Sequence, residues 1–386
     1  MVGYAQIPYE VNDSDEHRKL ALKTAQESIV LLKNDGILPL SKEIKSIAVI
    51  GPNSDNLDAL LGNYNGIPSR YTTPLYGIKD IVSPETTVYH TQGCDLKDTS
   101  TKGFAVAKEL ASKAEAAILC LGLSPRIEGE EGDGGDLEDI NLLGVQEDLL
   151  RAIYDTGTPT IVVLMSGSPI AVNWAEENAA AILAAWYPGE EGGRAIADVI
   201  FGDYNPAGRL PITFYKSIDD LPDFEDYRME NRTYRYFKGE PLYPFGHGLS
   251  YTTFAYSDLT ITPNPIQAGQ GVQVEVTVEN TGDLPGDEVV QLYLTDLEAS
   301  VPVPIRSLQG FSRIHLAPKE NKTICFTLTP YNMALVDYAG KRIVEPGRFQ
   351  VALGGRQPMG PGEGSKDIIF GEFVVEGERT EAKLTD

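Results

Sequence analysis

Two hydrophobic rhythms divide the chain. Between residues 44 and 203, short apolar or β-branched runs alternate with amphipathic stretches. IKSIAVIG (44–51), TTVYHTQG (86–93), EAAILCLG (115–122), TPTIVVLMSG (158–167) and AAAILAAWYPG (179–189) read as strands. FAVAKELASKA (104–114), LGVQEDLLRAIYDTG (143–157), IAVNWAEEN (170–178) and EGGRAIADVIFGD (191–203) place their apolar residues at helical spacing. Ahead of these, HRKLALKTAQESIVLLKN (17–34) predicts a helix through Leu20, Thr24, Ala25, Ile29 and Leu32, with Asp13, Ser14 and Asp15 as cap candidates. Strands apolar on both faces, alternating with helices, predict an α/β sandwich: a mostly parallel sheet with helices on both faces. It spans residues 17–214.

Residues 215–251 are rich in Pro, Tyr and Phe, which predicts an ordered, irregular connector rather than a flexible linker. From residue 252 the helical period disappears. VQVEVTVEN and EVVQLYLTD alternate apolar and polar residues around the turn NTGDLPGD, and KTICFTLTP and GRFQVALGG repeat the pattern. This predicts an all-β sandwich over 252–386.

Composition narrows the function classes. The 386 residues carry a net charge of −24, which disfavours nucleic acid and anionic lipid because phosphates are repelled. Neutral ligands such as sugars remain compatible. No run of about 18 apolar residues predicts a membrane span. Three cysteines, Cys94, Cys120 and Cys325, are too few and too scattered for a disulfide framework or a zinc site, and Cys120 reads as core. MVGYAQIPYE has neither a basic nor an apolar signal-peptide region, and a periplasmic or secreted location stays open.

The densest candidate chemistry lies in SPRIEGEEGDGGDLED (124–139), which carries seven carboxylates. Its four glycines argue against a helix. The run follows a predicted strand, and ligands of open α/β sheets bind outside the carboxyl ends of strands. GPNSDN (51–56), SGSP (166–169) and YPGEEGG (187–193) leave comparable ends and are expected on the same rim. Three readings stand: a solvated acidic loop, a calcium loop, or the home of one catalytic carboxyl. Counted from Glu131, the third calcium position is Asp133, but the fifth is Gly135 and the twelfth Leu142, so the calcium pattern fails. SGSPI lacks the glycine after the nucleophile and the histidine partner that a serine hydrolase needs.

AQESIVLLKNDGILPL (25–40), GNYNGIPSRYTTPLYGI (62–78), AAWYPGEEGGRAIADVIFGDYNPAGRLPITF (184–214) and PLYPFGHGLSYTTFAYSDL (241–259) resemble glycoside hydrolase family 3, the β-glucosidase and β-xylosidase family. The resemblance runs over nearly the whole chain and covers the part of that family C-terminal to its TIM barrel. It implies that residues 1–16 are the end of a barrel-to-sandwich linker and that the β region is the family's fibronectin type III-like domain. It further implies a retaining exo-β-glycosidase acting on terminal β-D-glucosyl or β-D-xylosyl residues by double displacement. An Asp nucleophile would sit on the N-terminal TIM barrel and a general acid/base Glu on the acidic loop.

On RIEGE the family pattern places the acid/base at Glu130, with Glu128 and Glu131 as its alternatives. The Arg of the family's usual Gly-Asp-Arg is replaced here: the residues are Gly135-Asp136-Leu137. No segment matches the nucleophile motif. The resemblance therefore implies a partner, the barrel, carried on a separate chain of a split or cleaved enzyme. It implies a glycoside or oligosaccharide substrate, no cofactor and no metal, and it leaves homo-oligomers open. Tyr64 and Asn65 lie past a strand's end, where an aromatic ring can stack on a sugar; the alternative is that they order their loop. Arg126 is placed to bond sugar hydroxyls or to form a structural salt bridge. Trp186 and His247 read as structural. A second class of function is a non-catalytic carbohydrate-binding or scaffold fragment.

Overall fold

The structure is a computed structural model that describes residues 2–129, 137–360 and 367–383. It forms two compact units, Met1–Gly208 with Tyr215–Ile218, and Arg209–Phe214 with Asp219–Asp386. Among the described residues no helix is long and apolar enough to cross a membrane.

The first unit is built on six strands: β1 (Val30–Asn34), β2 (Ser46–Ile50), β3 (Thr87–Thr91), β4 (Ala116–Gly122), β5 (Thr160–Met165) and β6 (Ala181–Ala184). Their order across the sheet is β1-β6-β5-β4-β2-β3. β2 to β6 are parallel, and β1 is an antiparallel edge on β6. All seven residues of β4 and all six of β5 are buried. A strand with no exposed position must be covered on both faces, which fixes the layered α/β architecture.

The helices are α1 (Asp15–Ser28), α2 (Pro74–Ile81), α3 (Phe104–Ser112), α4 (Pro125–Glu128), α5 (Gln146–Tyr154), α6 (Asn173–Asn178) and α7 (Gly192–Ile200). α7 packs against both α1 and α2, and α3 packs against α5. The α2–α7 contact is unusually close. A Cβ built on Gly77 would lie 2.1 Å from the Gly193 carbonyl oxygen, and one on Gly193 would lie 2.1 Å from Thr73. Only hydrogen at both positions lets the two helices meet.

Two expectations are corrected. The helix expected over 17–34 stops at Ser28, and Val30–Asn34 is a strand. Ser14 does cap α1, accepting from the His17 backbone N–H. Val30 and Leu31 are fully buried and pair with Ala184 and Leu183 of β6, so sheet burial overrides the helical spacing of Ile29 and Leu32. The acidic run also begins with the one-turn helix α4, with Pro125 in its first turn, before its glycines start.

The second unit contains β7 (Phe254–Thr262), β8 (Ile266–Gln267), β9 (Val272–Asn280), β10 (Gly286–Asp296), β11 (Ser307–Leu316), β12 (Asn321–Leu328), β13 (Leu335–Val336), β14 (Arg342–Val344), β15 (Gly347–Gly354), β16 (Ile368–Glu376) and β17 (Thr380–Glu381). The two larger sheets run β11-β10-β15-β16-β8 and β12-β9-β7. Their inner faces share one core. Val272, Val274, Val276 and Val278 alternate inward from β9, and Val290, Leu292 and Leu294 face them from β10. The aromatic segment before β7 is ordered into this unit: Tyr234 stacks on Phe245 at 4.1 Å, and both meet Tyr293 edge-on. His247 stacks on Tyr243 at 5.3 Å.

Gly77→Ala tests the helix contact. The change gains up to ~1 kcal/mol of helix propensity. Overpacking against a backbone oxygen costs ~1–3 kcal/mol or more, so a net loss of about 1–2 kcal/mol is expected. Both tryptophans, Trp174 and Trp186, lie in the first unit, so the urea midpoint followed by their fluorescence should fall. An unchanged midpoint would contradict the close packing.

Candidate active site

The chain enters the parallel sheet at β2, goes outward to β3, and returns to β4 on the other side of β2. The strand order therefore reverses between β2 and β4, which opens a crevice outside their carboxyl ends. The acidic loop starts there. Asn53, fully buried in the loop after β2, donates its side-chain amide to the Leu123 carbonyl across this point at 2.9 Å. Gln146 of α5 clasps the last peptide of β4: its side-chain oxygen accepts from Gly122 N–H at 2.8 Å, and its Nε2 donates to Gly122 O at 2.9 Å. The end of β4 is thus held rigidly before the loop begins.

α4 then turns the chain. Ile127 and Glu128 N–H both donate to the Ser124 carbonyl, and Gly129 ends the turn with a left-handed φ of 110°. The Glu128 carboxylate accepts three hydrogen bonds. Gly167 N–H donates at 3.1 Å, and the Ser168 and Tyr187 hydroxyls also donate. Gly167 and Ser168 follow β5, and Tyr187 follows β6. One side chain thus ties the loop entry to the ends of two neighbouring strands. Burial, reinforced by the hydrogen bond to Glu128 and its charge, holds the Tyr187 phenol well above its ordinary range, so it stays a donor.

The far flank of the loop is fixed as well. Asn141 forms a β-bridge with Ala171, whose N–H donates to Ile140 O at 2.7 Å. Asp139 accepts from Asn141 and the Ile140 backbone, and the bonds from Asn141 hold its carboxyl below the usual range.

Glu130 and Glu131 lie outside the described residues. Glu128 lies at the rim in the clamp just described. Arg126 forms a two-pronged ion pair with Asp58, at 2.6 and 3.3 Å, on the exposed surface. Tyr64 is 89% exposed with a left-handed φ of 57°, and Asn65 donates to Gly62 O at 2.6 Å. Tyr64, Asn65 and Arg126 nevertheless line one groove of about 420 Å³, together with Asp58 and Ile67. Glu190 and Glu191, the acids of YPGEEGG, are paired with Arg18 of α1 at 3.1 and 2.9 Å. Trp186 donates its indole N–H to Ser28 O.

Residue-type reasoning missed Ser168, Tyr187 and Gln146. The first two stand in loops already expected on this rim. A buried helical Gln that clasps a strand end leaves no signal in the sequence.

The residues thus define a carboxylate-bearing strand-end site on an α/β unit followed by a β-sandwich. The glycosyl hydrolase family 3 C-terminal domain model matches residues 29–251, and the fibronectin type III-like domain model matches 288–357. A β-xylosidase of Formosa agariphila is 41% identical over 354 residues, 88% of this chain and 48% of the relative. A periplasmic β-glucosidase of Salmonella typhimurium is 36% identical, over 90% of this chain and 50% of its own length. Among solved structures, a family 3 exo-β-xylosidase bound to a xylobiose aziridine probe matches at a TM-score of 0.85 and 31% identity, covering 98% of this chain and 51% of that one. A β-glucosidase from Erythrobacter marinus matches at 0.84 and 33% identity, covering 97% of this chain and 53% of its own. The chain belongs to glycoside hydrolase family 3. It spans about half the length of the relatives it matches.

If Glu128 is the anchor of the loop, Tyr187→Phe should loosen α4 without unfolding the unit. A hydrogen bond to a charged acceptor is worth ~1.5–3 kcal/mol, so amide exchange at residues 127–129 should quicken about tenfold or more. Exchange unchanged from the parent protein would show that the clamp does not hold the turn.

Proposed function

We propose that this chain provides the general acid/base of a retaining exo-β-glycosidase acting on terminal β-D-xylosyl or β-D-glucosyl residues. Glu130 is the acid/base, and the Asp nucleophile is supplied by a barrel outside these 386 residues. The observation that carries this reading is the Glu128 clamp. It engages the neighbouring candidate carboxylate with three donors, which suits an anchor and leaves the proton-transfer role to another acid of the loop. Glu130 follows two residues later, and two residues of chain reach at most about 7 Å. An anchored Glu128 therefore bounds how far the acid can stray from the rim. The β-xylosidase and β-glucosidase relatives support the substrate class.

In the first half-reaction the nucleophile attacks the anomeric carbon while Glu130 gives its proton to the leaving oxygen. In the second, the Glu130 carboxylate takes a proton from water as that water breaks the glycosyl-enzyme. Tyr64, Asn65 and Arg126, with Asp58, bound the groove offered to the leaving group. There the Tyr64 ring supplies a stacking face and Asn65 a hydrogen-bonding edge.

Glu130→Gln, assayed with the barrel present, should lower turnover on aryl β-xylosides by ~10²–10⁴-fold. Azide should restore turnover on substrates with good leaving groups, because it needs no base. Near-normal turnover in Glu130→Gln, with the loss and rescue found in Glu131→Gln or Glu128→Gln instead, would move the role. Sugar binding with no hydrolysis in any mixture of chain and barrel would favour a binding module.

A further inference from the structure

The groove that holds Tyr64 and Asn65 has a mostly apolar wall. Leu57, Leu61, Tyr64 and Ile67 bound its 420 Å³ from the loop after β2, and Pro125 bounds it from the first turn of α4. Ile67 is 90% exposed and Tyr64 89%. A single exposed apolar residue is ordinary, but apolar side chains gathered round one concave wall of this size are the lining of a small-molecule site. Tyr64 also holds a left-handed φ of 57°. Bulky residues seldom adopt that conformation, whereas its neighbours Asn63 and Asn65 are of a type that tolerates it. Such strain beside a ligand-sized groove marks a ring held there for contact.

The polar part of the wall is largely spent on itself. Both Asp58 carboxylate oxygens accept from Arg126, at 2.6 and 3.3 Å, and Asn65 spends an amide hydrogen on Gly62 O. A second sugar carries hydroxyls round its whole edge, and each one that leaves water without a partner costs affinity. What the wall still offers such an edge is the spare N–H groups of Arg126 and the amides of Asn63 and Asn65, all on exposed side chains. Exposed side chains give up conformational freedom when they bond a ligand. The faces of Tyr64 and Ile67 need no such matching; an apolar group covers them and releases their water.

We propose that this groove selects the leaving group by apolar contact, taking an alkyl or aryl aglycone against Tyr64 and Ile67 in preference to a second sugar. This selection rests on the reading of Glu130 as the acid/base. Arg126, in the groove wall, precedes that acid by four residues, a reach of at most about 14 Å.

Hydrolysis by the chain assembled with its barrel tests it. 2-Phenylethyl β-D-xyloside and xylobiose both release an unactivated alcohol, so leaving-group chemistry does not favour the first; 2-phenylethyl β-D-glucoside and cellobiose form the matching pair. kcat/KM for the phenylethyl glycoside should exceed that for the disaccharide by about tenfold or more, and Ile67→Asn and Tyr64→Ala should each cut the ratio by about five- to tenfold. Both side chains are exposed, so neither change threatens folding. A ratio at or below one overturns the proposal. So does an equal loss on both substrates in the variants; if association with the barrel weakens as well, the apolar wall is a packing surface between the chains. Where no mixture of chain and barrel hydrolyses any glycoside, the acid/base reading has failed, and saturation-transfer NMR of the full chain with the phenylethyl glycosides decides the groove. Phenyl protons saturated more strongly than sugar protons, with the signal lost in Ile67→Asn, support it. No saturation, or saturation of the sugar alone, overturns it.

Discussion

The first unit is governed by complete burial of its central parallel strands. β4 and β5 have no exposed residue, so no side chain that does aqueous chemistry can stand along them. Polar function is left to the strand ends, and ligands of open α/β sheets bind outside the carboxyl ends. Parallel pairing sets the register of the rim. Neighbouring parallel strands β4, β5 and β6 deliver their loops side by side, so Glu128, Ser168 and Tyr187 meet although 59 residues separate the first from the last. The strand-order reversal between β2 and β4 then puts the start of the acidic loop, at the end of β4, beside a crevice.

A catalytic acid on a long loop has a positional problem, since a proton donor must sit within hydrogen-bond reach of the leaving oxygen. For the acid proposed above, the described flanks of the loop supply that constraint. Asn53, Gln146 and the Glu128 clamp hold the entry, and the Asn141–Ala171 bridge holds the exit. The paired acids Glu190 and Glu191, which look as chemically ready as any in the sequence, are committed to Arg18.

Much of the fold was legible because its physics is local. Continuous apolar runs gave the buried parallel strands, and strict alternation in VQVEVTVEN gave β9, whose valines all face the core. What was not legible depended on partners distant in the chain. Ile29 to Asn34 carries a helical period, yet pairing with β6 decides its state. The one-turn helix α4 was hidden by the glycines after it. At the site, the acidic loop and its place on the rim could be read from pattern. The choice of Glu130 rested on family resemblance, and the clamp on Glu128 needed three loops to be brought together in space. Nothing in a sequence marks Tyr187 as facing a carboxylate 59 residues upstream.

The central claim is that Glu130 is one of a pair of carboxyls whose other member lies on the barrel. A crystal structure of the assembled enzyme tests it most directly. A retaining mechanism requires the two carboxyls to stand about 5–5.5 Å apart across the anomeric carbon. Glu130 at that distance from a barrel Asp, with Glu128 still bonded to Gly167, Ser168 and Tyr187, is the predicted result. A separation of about 6.5–9.5 Å, or a different carboxylate facing the Asp, would contradict it.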